Sequence, residues 1–138
     1  MKRICIIDGQ GGGIGSAIIK RLTAVVGNGI DIIALGTNAI ATAQMLKARA
    51  NRGASGENAI VYTVKDADII IGPVSIIMAN AMMGELTPAM AQAVASSPAR
   101  KLLLPLSQEN IEIVGQEKSP LPHLIDALIE ENLKNILK

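Results

Sequence analysis

Seven residues hold most of the chemistry that this sequence suggests. An apolar run, Arg3-Ile-Cys-Ile-Ile-Asp8, passes into Gly9-Gln10-Gly11-Gly12-Gly13-Ile14-Gly15, and five of these seven loop residues are glycine. The segment after it repeats apolar residues at helical spacing (Ile14, Ala17, Ile18, Leu22, Val25). Strand, glycine loop and helix in that order present backbone N–H groups and a positive helix end to an anion, phosphate above all. A bare turn needs fewer glycines, and each one costs conformational entropy. A ligand-binding loop is therefore favoured over a structural turn. In open α/β sheets ligands bind beyond the carboxyl ends of strands. That rule adds Gly36, Thr37 and Asn38, then Gly72 and Ser75, and then the loop Ser107 to Asn110 to the candidate binding residues. Thr37 and Asn38 serve equally well as helix caps. Asp8 and Glu85 are the candidate carboxylates for acid–base work, and no metal-ligand pattern is present.

The spacing narrows the ligand. Gly-x-Gly-x-x-Gly read from Gly9 requires glycine at position 14, where Ile14 stands. A dinucleotide site also places an acid about 20 residues after the glycines, to hold ribose hydroxyls. Gly36-Thr37-Asn38 occupies that place. The missing acid argues against NAD and leaves NADP, another nucleotide or a phosphorylated metabolite. A second glycine-rich stretch, Asn51 to Asn58, contains Arg52 and Ser55 and could form an anion nest. It reaches the ligand edge only if the strand after it runs antiparallel; otherwise it is structural.

The elements that must carry these loops alternate. Strands are expected at Arg3 to Asp8, Ile30 to Leu35, Ala59 to Val64, Asp68 to Ile71, Lys101 to Leu104 and Ile111 to Val114. Helices are expected from Ile14 to a stop at Gly27, from Ala39 to Ala50, from Val74 to Met83, from Thr87-Pro88 to Ser96, and after Pro120 and Pro122. This alternation predicts a single Rossmann-like α/β domain over 1–138, a layered fold with helices on both faces of the sheet. Two connections, Lys65 to Ala67 and Pro105 to Asn110, are too short for parallel crossovers. The expected sheet is therefore mixed and mainly parallel, with the third and sixth strands antiparallel or peripheral.

Composition excludes other classes. The chain is 49% hydrophobic, has net charge +1, and holds one Tyr with no Phe or Trp. Without basic runs or aromatic platforms, nucleic acid is a poor partner. No apolar run reaches membrane-spanning length, and the first strand begins almost at the N-terminus, so a cytoplasmic protein is expected. Cys5, the single cysteine, lies within the first strand and reads as buried and inert. His123, the single histidine, reads as structural, carried by the antiparallel sixth strand to the edge away from the glycine loop. The apolar stretch Val74 to Met83 is too apolar all round for one buried stripe, and points to a homodimer face.

Five segments in combination carry a resemblance: Asp8 to Gly15, Ala34 to Ala41, Asn51 to Ile60, Asp68 to Pro73 and Pro120 to Asp126. Together they resemble a family of short bacterial proteins known only as a domain of unknown function. That resemblance spans nearly the whole chain and implies no activity or substrate. Gly9-x-x-x-Gly13-Ile14-Gly15 also resembles the loop of short-chain dehydrogenases, though Asp8 stands where that family has threonine. Tyr62 and Lys65 are one residue too close for its catalytic pair. Hydride transfer by that mechanism is not expected. The expected function is a binding or sensing module for a nucleotide or phosphorylated small molecule. The alternatives are a small enzyme acting on a phosphorylated metabolite or NADP-type dinucleotide, and an interaction protein with no ligand.

Overall fold

A computed structural model describes residues 1–106 and 109–137. Its strands are β1 (Lys2–Asp8), β2 (Ile30–Gly36), β3 (Arg52–Ser55), β4 (Ile69–Pro73) and β5 (Arg100–Leu104). Its helices are α1 (Gly13–Val26), α2 (Ala39–Lys47), α3 (Glu57–Thr63), α4 (Pro88–Ser96), α5 (Leu121–Ala127) and α6 (Lys134–Leu137), the last two joined by a π-helical stretch, Leu128–Leu133. Short 3-10 turns occupy Val64–Asp66 and Val74–Ile77. The strand order is β3-β2-β1-β4-β5, with β1 central. Every pairing among the described residues is parallel: Ile4 of β1 lies opposite Ile32 of β2 on one side and Ile69 of β4 on the other.

The apolar strands are buried on both faces, as a parallel sheet between helices requires. Ile4, Ile6, Ile32, Ala34, Ile69 and Ile71 point into one core, against Ile18 and Leu22 of α1, Met45 of α2 and the C-terminal Ile125, Ile129 and Leu133. The intervening Cys5, Ile7, Ile33, Leu35 and Ile70 point into the other, against Ile60, Val64, Ile76, Met90 and Val94. Alternate residues thus serve opposite layers. Each fully buried Ile or Leu contributes roughly 1.5–3 kcal/mol relative to exposure.

The layered α/β fold with helices on both faces is as expected, and the sheet is parallel rather than mixed. Both strands expected to be antiparallel are absent as strands. Ala59 to Val64 lies within α3 and the turn after it, burying Ile60 and Val64 one helical turn apart while Tyr62 stays 70% exposed. The strand of this unit is instead Arg52–Ser55, inside the second glycine-rich stretch. Ile111 to Val114 is irregular and exposed, so no sixth strand is formed there. The apolar helix Val74 to Met83 is also absent. After the 3-10 turn the backbone turns repeatedly, with Asn80, Met82, Met83 and Gly84 at φ of 68°, 59°, 56° and 88°. Among the described residues, no helix is long and apolar enough to cross a membrane.

Candidate functional site

The parallel sheet brings the loops after β1, β2, β3 and β4 to one edge. The first of them is organised by Asp8, the last residue of β1. Its buried carboxylate accepts from the N–H of Gly9 (2.8 Å, Oδ1) and from the N–H of Gly15 (2.7 Å, Oδ2). Asp8 therefore caps α1 from outside the helix, because Gly12 at the N-cap has no side chain to do so. Burial pushes the Asp8 carboxyl up from its ordinary range, opposed by the amides of Gly15, Gly9 and Ile14, with the nearby Glu85 charge adding to the rise.

Glu85 completes the loop from the other side. It comes from the turn before α4, and its Oε1 accepts three donors: the Gln10 N–H (2.8 Å), the Thr37 hydroxyl (2.7 Å) and the Asn38 amide (2.8 Å). The Gln10 amide and the Thr37 hydroxyl hold the Glu85 carboxyl below its usual range; partial burial opposes them, and the Asn38 amide adds to the lowering. Asn38 also accepts from the Ala41 N–H (2.8 Å), so it caps α2 and steadies Glu85 at once.

The five glycines then divide into two groups. A Cβ on Gly9 would fall 2.5 Å from Met82 Sδ and from Thr37 Oγ1. One on Gly15 would fall 2.5 Å from Met45 Sδ, and one on Gly12, at φ +73°, 2.8 Å from the Ala41 carbonyl. Folding alone accounts for these three. A Cβ on Gly11 or Gly13 would meet nothing within 4 Å, and neither residue has positive φ. Both are exposed. Among the described residues their N–H groups have no acceptor, whereas Gly12 donates to the Gly9 carbonyl (2.9 Å).

Beside this loop lies a cavity of about 260 Å³, between the ends of β1 and β4. Asp8, Gln10, Ile14 and Ser75 line it, with Pro73, Met82, Leu106 and Glu109. Strand order reverses at β1/β4, the position where open α/β sheets bind ligands. The predicted residues Asp8, Gln10, Ile14 and Ser75 are thus brought together, and Thr37 and Asn38 join them through Glu85. Ser107 and Gln108 lie outside the described residues, while Glu109 of the same predicted loop is at the cavity and accepts from the Met82 N–H (2.9 Å). Met82 and Leu106 are additions that the sequence reading missed. Their signal was apolarity alone, which a core residue shares.

Several predicted residues have other tasks. Gly36 donates to Thr42 Oγ1 (3.1 Å), and a Cβ there would strike that hydroxyl and the Asn38 carbonyl, so its smallness serves the β2–α2 turn. Gly72 lies against the Ile7 carbonyl, where a Cβ would come within 2.5 Å. Arg52 pairs with Asp31 (2.6 Å) at the start of β3, the opposite edge, and Ser55 donates to Thr42 Oγ1 (2.7 Å), so the anion nest is not formed. The second stretch nevertheless climbs to the ligand edge, because it is itself a strand parallel to β2: the Gly56 N–H donates to the Gly36 carbonyl (2.8 Å). The expectation that a parallel arrangement keeps it away was therefore incorrect. His123 is exposed on α5. Its neighbour Leu124 shares a surface groove with Val74, Pro105 and Leu106, so the route through a sixth strand to the far edge does not exist. No group of three or more His, Cys, Asp or Glu among the described residues could hold a metal ion.

Parallel strands in the order 3-2-1-4-5, a glycine loop after the first strand and a cavity where that order reverses define a Rossmann-like α/β protein. Within that class the chain belongs to the family described as a domain of unknown function, DUF3842, which matches residues 3–137. Among solved structures it is similar to a dodecameric FMN-dependent UbiX-like decarboxylase from Escherichia coli O157:H7. The two share 13% sequence identity at a TM-score of 0.52, over 100% of this chain and 96% of that one. At this identity the likeness is one of fold. The chain matches no curated protein.

Proposed function

We propose that the protein is a binding module for a nucleotide or other phosphate-bearing small molecule, seated across the glycine loop and the β1/β4 cavity. Gly11 and Gly13 carry this reading. Packing and backbone conformation account for Gly9, Gly12 and Gly15, but not for two exposed glycines that have open space above them and, among the described residues, amides without an acceptor. Backbone that a ligand must approach closely is such a place. A phosphate there meets the α1 N-terminus from outside, while Asp8 occupies the inner amides. The solved FMN-dependent decarboxylase places a phosphate-bearing cofactor in the chemistry of a related fold, which supports a nucleotide-class ligand here. Binding is favoured over catalysis because both candidate carboxylates are committed to holding loops, Asp8 on Gly9 and Gly15 and Glu85 on Gln10, Thr37 and Asn38.

Thermal unfolding with FMN, NADP, AMP and pyrophosphate tests the reading. A ligand present at 100 times its Kd stabilises by about 2.7 kcal/mol. Gly13→Val, at a position where an added Cβ meets nothing within 4 Å, should fold and lose that stabilisation. An equal ligand shift in both proteins would remove the glycine loop from the site.

A further inference from the structure

The end of β2 is where a dinucleotide fold keeps the acid that holds ribose hydroxyls. In this chain Gly36, Thr37 and Asn38 occupy it, and none is acidic. The fold nevertheless puts a carboxylate there. Glu85, 47 residues beyond Asn38, accepts from the Thr37 hydroxyl and the Asn38 amide through Oε1. The same oxygen accepts the Gln10 N–H, which ties the carboxylate to the residue just before Gly11.

This arrangement leaves half of the carboxylate unused. An ionised carboxylate offers about four acceptor sites on two oxygens. All three donors converge on Oε1, and among the described residues Oε2 has no hydrogen-bond partner. The side chain is half-buried rather than enclosed; it does not itself line the β1/β4 cavity, but Gln10, whose N–H it accepts, does. The carboxylate is held from two loops, which prepares the second oxygen for a donor without further ordering. A fixed negative charge repels a second anion, so the group it selects is a hydrogen-bond donor, and in a ligand already seated by its phosphate the uncharged donors are what remain. Sugar hydroxyls fit, and a phosphate on Gly11 and Gly13 lies one residue along the same loop.

Resting on the binding reading above, we infer that Glu85 determines specificity for the sugar hydroxyls of a nucleotide-class ligand, supplying from the β4–α4 connection the acid that β2 lacks. Thr37 and Asn38 are then its positioning residues.

The test compares AMP, 2′-deoxy-AMP and inorganic pyrophosphate by calorimetry on the full chain and on Glu85→Gln. Glutamine keeps a carbonyl oxygen for the Gln10, Thr37 and Asn38 donors, and circular dichroism checks the fold. The expected result is wild-type binding of AMP at least tenfold tighter than 2′-deoxy-AMP. Glu85→Gln should then bind the two within about twofold, with pyrophosphate affinity rising by less than tenfold, because removing a nearby negative charge favours any anion. Equal wild-type affinity for the two nucleotides overturns the inference while leaving the phosphate site standing, and this comparison does not depend on the variant. A Glu85→Gln that discriminates as wild type does also overturns it. If Glu85→Gln binds pyrophosphate at least tenfold tighter, Glu85 sits in the anion's own seat and the inference fails. If wild type binds none of the three, the binding reading fails with it.

Discussion

Gly12 and Gly13 are neighbours in sequence with opposite roles, and substituting each by alanine separates them. At Gly12 an added Cβ meets the Ala41 carbonyl oxygen at 2.8 Å and the Ala41 Cα at 2.9 Å, backbone atoms that cannot rotate away. The residue is also at φ +73°, where a side chain costs roughly 1–2 kcal/mol. Forcing a methyl group into packed structure adds roughly 1–3 kcal/mol. Together Gly12→Ala should destabilise by about 2–5 kcal/mol. At Gly13 the methyl meets nothing within 4 Å, φ is not positive, and the residue opens α1. There the smaller unfolded-state entropy should stabilise by roughly 0.4–1 kcal/mol. With an unfolding entropy of about 2.1 cal/mol/K per residue, 1 kcal/mol moves Tm of a chain this size by about 3 °C. Circular dichroism melting in the absence of ligand should therefore show Gly12→Ala lower by about 6–15 °C and Gly13→Ala slightly above wild type. A Gly13→Ala protein destabilised like Gly12→Ala would mean that Gly13 has a structural task, and the division of the glycines would collapse.

Three further outcomes are expected. The Glu85 carboxyl titrates below its ordinary value of 4.5, so its contribution to stability is complete above that pH and is lost as pH falls through its depressed value. In denaturant titrations the stability gap between wild type and Glu85→Gln should be flat above about pH 5 and narrow in acid; a gap unchanged down to pH 3 would contradict the hydrogen bonds described. Burial pushes the Cys5 thiol up to about 12, so a thiol reagent at pH 8 should label the protein only at its unfolding rate; immediate labelling of native protein would contradict the buried strand. Self-association through the Val74 to Met83 segment now rests on Met83, which is 95% exposed, and on Ile77, which is 37% exposed, because Met82 is buried. Light scattering should give a dimer mass for wild type and a monomer mass for Met83→Lys; a wild-type monomer would dispose of the dimer, and a persistent dimer in the variant would move its interface.

The core strands were legible because parallel strands buried on both faces leave continuous apolar runs, as in Ile4 to Ile7 and Ile69 to Ile71. Thr87-Pro88 marked α4 through chemistry that the structure retains: the Thr87 hydroxyl accepts from the Met90 N–H (3.2 Å). Edge strand β3 was not legible. Arg-Gly-Ala-Ser has turn-like composition, and only pairing with β2 makes it a strand. The β-branched residues after it were read as a strand, but Ile60 and Val64 fit a helical face as well as a strand. That exchange removed the third of the predicted strands, and the irregular Ile111 to Val114 removed the sixth, so no antiparallel pairing remains among the described residues. At the site, Asp8 and Gln10 could be found from the loop that contains them. Glu85 was noted as a well-placed acid, but its contact with Thr37 and Asn38 depends on a turn through four positive-φ residues, Asn80, Met82, Met83 and Gly84, that no spacing rule foretells.

The central position of β1 has a consequence for how the chain is made. Strand β1 leaves the ribosome before its partners and pairs on one side with β2 as soon as Ile30–Gly36 follows. Its other edge has no partner until Ile69 to Ile71 emerges, about sixty residues later. At about 5–20 residues per second that edge waits roughly 3–12 s, with Ile4 and Ile6 beside it. An unpaired apolar edge is a template for pairing with another chain. The nascent protein is thus most vulnerable to aggregation before β4 is synthesised, and chain fragments ending between β2 and β4 should be the least soluble of any truncation series.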